Sequence, residues 1–161
     1  MKIPFAPSVY EHAAALIGRT PWEASRDPDL MFAGHKAAYH EYGHSPIVVG
    51  IDIYNLEAEA YGSVVVEPSG HGIPAITEPL VDSVRDGLRL RPYDPRRDGR
   101  IAMVIEVGRR LKREFPAADV RVPVSGPFSI AVNLRGINGL MEDVLDDPAT
   151  TAAWLMRLAE N

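Results

Sequence analysis

Residues 46–52 read PIVVGID, a short apolar run that ends in an aspartate. A continuous apolar run of this length, bounded by turn-forming residues, is typical of a strand buried on both faces. Strands of this kind occur in parallel sheets whose two faces are covered by helices. The run therefore predicts an α/β fold, with Asp52 at the carboxyl end of a buried strand.

Helical patterns lie before and after this run. Ser8, with Glu11 three residues later, predicts a first helix that ends near Gly18. A second helix is expected to begin after Asp27-Pro28 and to end at Gly43. Beyond the run, residues 55–62 (NLEAEAYG) predict a short helix and residues 62–68 (GSVVVEP) a second strand.

The remainder of the chain continues the alternation. Residues 67–97 are rich in Pro, Gly and charge and predict a long irregular connection. A helix from residue 98 or 99 to 115, a strand within 118–126, a helix within 126–136 and a last helix starting at Pro148 follow. Parallel strands alternating with helices form either an open sheet or a (β/α)8 barrel, and a complete barrel needs about 250 residues. At 161 residues, the chain is too short for one.

Composition restricts the class of protein. The chain has a net charge of −5 and a pI near 5.5, which disfavours a nucleic-acid partner. It has no cysteine, which suits a reducing compartment, and it shows neither a leader pattern nor a long apolar run. We expect a single-domain cytoplasmic protein without a membrane segment.

Residues 40–44, HEYGH, match the zinc-peptidase pattern H-E-x-x-H. That pattern requires His40 and His44 on one face of an uninterrupted helix, because residues four apart lie one above the other. Gly43 predicts that the helix ends before His44, and the chain continues with Ser45-Pro46. We therefore interpret the two histidines as surface or capping residues and expect no metal site.

Three longer stretches together resemble the uroporphyrinogen decarboxylase superfamily: residues 12–28 (HAAALIGRTPWEASRDP), 43–68 (GHSPIVVGIDIYNLEAEAYGSVVVEP) and 126–148 (GPFSIAVNLRGINGLMEDVLDDP). This superfamily includes the haem-pathway decarboxylase and the methylcobamide-dependent methyltransferases. The resemblance implies that residues 1–161 are the N-terminal half of a (β/α)8 barrel.

The resemblance also implies catalytic residues. Asp52 matches the aspartate that contacts pyrrole nitrogens in the decarboxylase and stabilises the cationic intermediate; its structural alternative is a cap of the following helix. Glu57 and Glu59 lie on different faces of that helix, so at most one can point into the barrel mouth. We favour Glu57, with a solvated helix face or a structural ion pair as its alternative.

Substrate-binding candidates lie around the GPFS turn. Gly126, Phe128 and Ser129 place a helix N-terminus at the barrel mouth, where backbone N–H groups would bind a carboxylate or phosphate. Arg135 could assist, although arginine near a helix end more often contacts solvent or the last carbonyls. Asn133 stands where the decarboxylase has a substrate-binding tyrosine.

The decarboxylase also has an arginine-rich N-terminal signature that binds substrate carboxylates, whereas here only Arg19 is near, at the wrong spacing. We therefore expect a methyltransferase-like subunit acting on a corrinoid-bound or small-molecule methyl group. Decarboxylation of a tetrapyrrole, or a non-catalytic binding and assembly role, are the alternatives.

A half-barrel leaves sheet edges uncovered, so we expect a partner: a second half-barrel chain or a second copy, with a corrinoid protein as a further candidate. This chain alone is expected to bind no cofactor. Zinc and a corrinoid would belong to the assembled enzyme.

Overall fold

The computed structural model describes residues 6–161, which form an α/β structure of helices and short strands. The helices are α1 (Tyr10–Ala15), α2 (Pro21–Arg26), α3 (Pro28–Tyr42), α4 (Leu56–Tyr61), α5 (Val84–Gly87), α6 (Ile101–Glu114), α7 (Pro127–Arg135), α8 (Ile137–Asp146) and α9 (Pro148–Glu160). The strands are β1 (Ile47–Val48), β2 (Val65–Val66), β3 (Ala75–Ile76) and β4 (Val120–Arg121), and a 3-10 turn spans Ile53–Asn55. None of the helices formed by residues 6–161 is long and apolar enough to cross a membrane.

The chain divides into two compact units. Unit 1 comprises Met1–Ile53, Glu67–Pro74 and Ala102–Pro123; unit 2 comprises Tyr54–Val66, Ala75–Ile101 and Val124–Asn161. Each unit is built from segments that are distant in the sequence.

Unit 1 contains the predicted parallel strand pair. β1 pairs with β4 in parallel, with Ile47 opposite Val120 and Val48 opposite Arg121. Ile47, Val49 and Ile51 are fully buried, which explains the apolar run. The ladder is shorter than the predicted strand, because Gly50 at φ 127° turns the chain and Pro123 lacks the N–H needed to extend β4.

The first and third helices of unit 1 begin and end at identifiable capping residues. The N-cap Asp27 accepts hydrogen bonds from the N–H groups of Asp29 and Leu30 to begin α3, which ends at the left-handed Gly43 as predicted. The first helix differs from the prediction, because α1 begins at Tyr10 with Val9 rather than Ser8 as its N-cap and ends at Ala15.

Unit 2 has a mainly helical core. Its buried side chains are Ala58, Val81, Val84, Ile130, Ala131, Leu134, Leu140, Trp154 and Leu158. Its two strands, β2 and β3, pair antiparallel. The expectation that the second strand would also be parallel is therefore wrong. Residues 67–97 are also more regular than predicted, because they include β3 and α5.

Two helices were missed by the sequence patterns. Helix α2 begins with a capping box in which Thr20 and Glu23 exchange hydrogen bonds, and the letters TPWE match that motif. Helix α8 carries Ile137, Leu140, Met141 and Val144 at helical spacing directly after α7. The capping motif would have identified α2, and the apolar period would have identified α8.

Candidate functional site

Asp52 lies in a tight turn that follows β1 in unit 1. Its residue is fully buried, and its φ of 60° is a left-handed conformation that non-glycine residues rarely adopt. The N-cap of α4 is Asn55 rather than Asp52. A buried aspartate in this backbone conformation is what a site residue held by its surroundings would show.

Side chains from the three N-terminal helices hold the Gly50–Asp52 turn. The N–H of Asp52 donates to Oε1 of Glu11 on α1 at 3.3 Å. Nη1 of Arg26 on α2 lies 3.9 Å from Oδ2 of Asp52. The N–H of Gly50 donates to Nε2 of His35 on α3 at 2.9 Å. The turn is therefore fixed by long-range contacts that a local sequence pattern cannot reveal.

His35 is neutral in this arrangement. It is fully buried, and burial lowers its pKa from 6.5 to about 4, with the neighbouring His44 adding to the shift. Because Nε2 accepts a hydrogen bond, Nδ1 must carry the ring proton, and Nδ1 has no partner within residues 6–161.

Arg26 lies beside Asp52 and was not predicted from the sequence, where only Arg19 was considered. Arg19 forms an exposed ion pair with Glu23 at 3.2 Å. Arg26 instead stacks on Trp22, 3.3 Å from the ring centroid, donates to Ser25 and faces Asp52. The available signal was helical spacing, because Trp22 and Arg26 are four residues apart on a helix that was not predicted.

Glu57 lies in the first turn of α4, in unit 2, and is only 5% exposed. Its Oε1 accepts a hydrogen bond from the backbone N–H of Ser125 at 2.8 Å. Its Oε2 is buried and has no hydrogen-bond partner within residues 6–161. Glu59, on the same helix, is an ion-paired side chain, with its Oε2 2.6 Å from Nε of Arg100. The two glutamates therefore differ in their surroundings: Glu59 is ion-paired, whereas Glu57 is buried and has an oxygen without a hydrogen-bond partner within residues 6–161.

Tyr93 of unit 2 is influenced by the charge of Glu57, and Tyr61 packs against Tyr93. Burial raises the pKa of Tyr93, and the negative charge of Glu57 raises it further. The pKa of Tyr61 is raised by burial and by Tyr93. The two rings meet edge to face, with centroids 5.1 Å apart. Tyr93 lies in the connection at residues 67–97. Its position in a long loop was the one sequence feature that suggested a functional role.

The GPFS turn begins α7 in unit 2. Gly126 is the N-cap and provides no side-chain capping bond, while Phe128 and Ser129 are exposed. The residue just before the turn, Ser125, donates its N–H to Glu57. The carboxylate of Glu57 therefore binds the residue that precedes the N-cap of this helix, close to the place where the sequence predicts an anionic substrate group.

Asn133 and Arg135 point to different surroundings. Nδ2 of Asn133 donates to the carbonyl of Tyr54. Asn133 also lines a pocket of about 250 Å³ in unit 2, together with Ile76, Thr77, Glu78, Pro79, Val132, Gly136 and Ile137. Nε of Arg135 lies 2.7 Å from Oδ2 of Asp143, and the guanidinium packs on Gly139. Arg135 thus forms a structural ion pair between α7 and α8, rather than contacting the last carbonyls.

The HEYGH segment does not form a helical metal motif. Helix α3 ends at Tyr42, so His44 lies beyond it, as predicted. His40 is exposed, but His44 is fully buried, so its assignment as a surface residue is wrong. Burial lowers the pKa of His44. Among residues 6–161 there is no group of three or more His, Cys, Asp or Glu side chains that could hold a metal ion.

These features define an α/β protein with a buried aspartate in the turn that follows a parallel strand, four residues beyond the strand's last residue. The family model for uroporphyrinogen decarboxylase (URO-D) matches residues 2–161. The chain belongs to the uroporphyrinogen decarboxylase family.

Comparison with solved structures supports the fold. A methyltransferase from Methanosarcina mazei superposes with a TM-score of 0.81 at 20% sequence identity. The match covers 99% of this chain and 48% of that chain, so the present chain spans about half the length of this relative. Among curated proteins, no significant match to the chain was found.

Proposed function

We propose that this chain is the N-terminal half of a methyltransferase-like (β/α)8 barrel that acts on a corrinoid-bound or small-molecule methyl group. The observation that supports this most strongly is the structural similarity to the Methanosarcina mazei methyltransferase over 99% of the chain. Since that relative is about twice as long, we propose that a C-terminal half completes the active site.

Asp52 is the residue proposed to contact the reacting group. A buried carboxylate accepts N–H hydrogen bonds and balances developing positive charge. The contacts from Glu11, Arg26 and His35 would keep Asp52 in position, so that little reorganisation is needed during reaction.

Unit 2 carries its own group of proposed substrate-binding residues. Glu57 would act beside the GPFS turn, where Gly126, Phe128 and Ser129 present an exposed surface. Asn133 would contribute through the pocket that it lines. Arg135 would act indirectly, because its ion pair with Asp143 fixes α7 against α8.

Zinc and a corrinoid are the cofactors implied for the assembled enzyme. The chain has no cysteine, and residues 6–161 offer no cluster suited to a metal, so the side chains present do not fit a zinc site. We therefore propose that the partner half holds the zinc, which would activate a thiol group. A separate corrinoid protein would deliver the methyl group.

A second half-barrel chain or a second copy of this chain is the proposed partner, and the cytoplasm the proposed location. One exposed face of α8 supports association, since Ile137, Met141, Val144 and Leu145 lie on it at helical spacing and are all more than a third exposed. We propose no nucleic-acid or membrane partner.

The test is the native mass of the chain, alone and after recovery from its own cell extract, followed by a methyl-transfer assay of the recovered assembly. A companion carrying one His and two Cys ligands, and methyl transfer that is lost in Asp52→Asn, would support the proposal. A stable assembly without zinc or methyl transfer would favour the binding and assembly role instead.

Decarboxylation remains the second candidate because of Arg26. Decarboxylation was disfavoured from the sequence because no arginine at a suitable spacing was recognised. In the structure, however, the guanidinium of Arg26 faces Asp52. An arginine beside the site aspartate could bind a substrate carboxylate. Release of carbon dioxide from a tetrapyrrole by the assembled protein, lost in Arg26→Gln, would favour this candidate over methyl transfer.

A further inference from the structure

Glu57 differs from the other acidic side chains around it in unit 2. Glu59 is paired with Arg100 at 2.6 Å, Asp143 with Arg135 at 2.7 Å and Asp147 with Arg85 at 3.0 Å. Glu57 is more buried than any of these three, and its Oε2 has no partner within residues 6–161. A buried carboxylate oxygen without a donor is rare in folded proteins and needs an explanation.

The position of Glu57 is nevertheless well defined. The Ser125 N–H binds Oε1 at 2.8 Å, and the carboxylate lies in the first turn of α4, where the helix dipole favours a negative charge. One oxygen is thus anchored, and the other keeps its hydrogen-bonding capacity unused.

The charge at this position selects the ligand. A phosphate or carboxylate would be repelled by Glu57, and the N–H of Ser125 that could have received it is already engaged. A protonated amine would supply both the positive charge and the N–H donors that Oε2 lacks. Burial and the charge of Glu57 raise the pKa of Tyr93, so this aromatic ring lies near Glu57, and an aromatic ring favours a cation.

We infer that Glu57 is the recognition residue for a protonated amine, which donates an N–H hydrogen bond to Oε2. This inference rests on the proposed function, whose substrate it describes more closely: the group bound beside the GPFS turn is a nitrogen cation rather than an anion.

The experiment uses the full chain labelled with 15N and follows the Ser125 amide resonance. Methylammonium chloride, tetramethylammonium chloride and sodium acetate are titrated separately at constant ionic strength. Methylammonium should give a saturable shift. Tetramethylammonium, which has the charge but no N–H donor, should bind at least about tenfold more weakly, and acetate should have no effect.

Two variants provide the controls. Glu57→Gln keeps the shape and the acceptor for Ser125 but removes the charge, and should weaken methylammonium binding at least about tenfold. Glu142→Gln, which removes an exposed glutamate of α8, should leave it unchanged. If Glu57→Gln does not fold, a nuclear Overhauser effect between 13C-methylammonium and the Tyr93 ring of the unaltered chain gives the same information.

Three results would overturn the inference. A saturable shift with acetate would restore an anion site at the turn. Full methylammonium affinity in Glu57→Gln would place the amine elsewhere. No response of Ser125 to any of the three salts would mean that an internal water satisfies Oε2. Because the titration needs no partner and no methyl donor, its failure and a failure of methyl transfer are seen separately.

Discussion

The two buried carboxylates of this chain, Asp52 in unit 1 and Glu57 in unit 2, are held in opposite ways. Asp52 has an arginine 3.9 Å from its carboxylate, and a glutamate and a histidine bind the backbone around it. Glu57 has one backbone N–H on Oε1 and nothing on Oε2 within the described residues. Burial is therefore common to both carboxylates, and what distinguishes them is the partners that each one has.

The largest expected effect concerns the unit 1 turn at acid pH. The pKa of His35 lies at about 4 in the folded chain and near 6.5 when unfolded, so the unfolded chain binds more protons between these values. The contribution of His35 to the free energy of unfolding should therefore be fully present above pH 6.5. It should decrease by about 3 kcal/mol as the pH decreases to 4.

Urea unfolding between pH 7 and pH 4 measures this loss. Glu114 and Asp147 also have lowered pKa values and contribute at acid pH, so the comparison with His35→Gln isolates the histidine. Glutamine keeps an acceptor for Gly50 but does not titrate. Equal pH dependence in both proteins would show that His35 is not the group responsible.

The next effect is the loss of the hydrogen bond to Gly50. His35→Leu leaves a buried N–H without an acceptor and should lower the free energy of unfolding by about 2 kcal/mol at pH 7. His35→Gln should recover more than half of this loss. If leucine and glutamine are equally destabilising, packing rather than the hydrogen bond accounts for the role of His35.

A smaller effect is expected at Asp52 itself. Asn is tolerated in the left-handed conformation, so Asp52→Asn should keep the turn but lose the attraction to Arg26, which is itself about a quarter exposed. We expect a loss of about 1 kcal/mol in urea unfolding, while methyl transfer by the assembled enzyme is abolished. Retained methyl transfer would remove Asp52 from the site.

Much of the fold was predictable from local patterns, while the support of the site was not. The run PIVVGID, the stop at Gly43 and Pro148 at a helix start predicted real elements, because each signal acts within a few residues. The lengths of the strands were overestimated, because the end of a strand depends on pairing partners that lie far along the chain.

The candidate site was likewise only partly predictable from the sequence. Asp52 and Glu57 were selected from a family resemblance, and the structure shows both as buried carboxylates. Arg26, His35 and Tyr93 were missed, because their importance comes from contacts made after folding. His35 is fifteen residues from Gly50, and no sequence period connects them.

The smallest effect, and the sharpest contrast, is expected on α4, where two glutamates are two residues apart. Glu59→Gln removes a partly buried ion pair with Arg100 and should lower the free energy of unfolding by about 1 kcal/mol. Glu57→Gln removes a buried charge that has no paired cation among residues 6–161 and keeps the acceptor for Ser125, so stability should be unchanged or slightly higher. Urea unfolding of both variants at pH 7 measures the difference, and the shared helix makes each the control for the other. If Glu57→Gln loses as much stability as Glu59→Gln, a partner already satisfies Oε2 in the folded chain, and Glu57 is a structural residue like its neighbour.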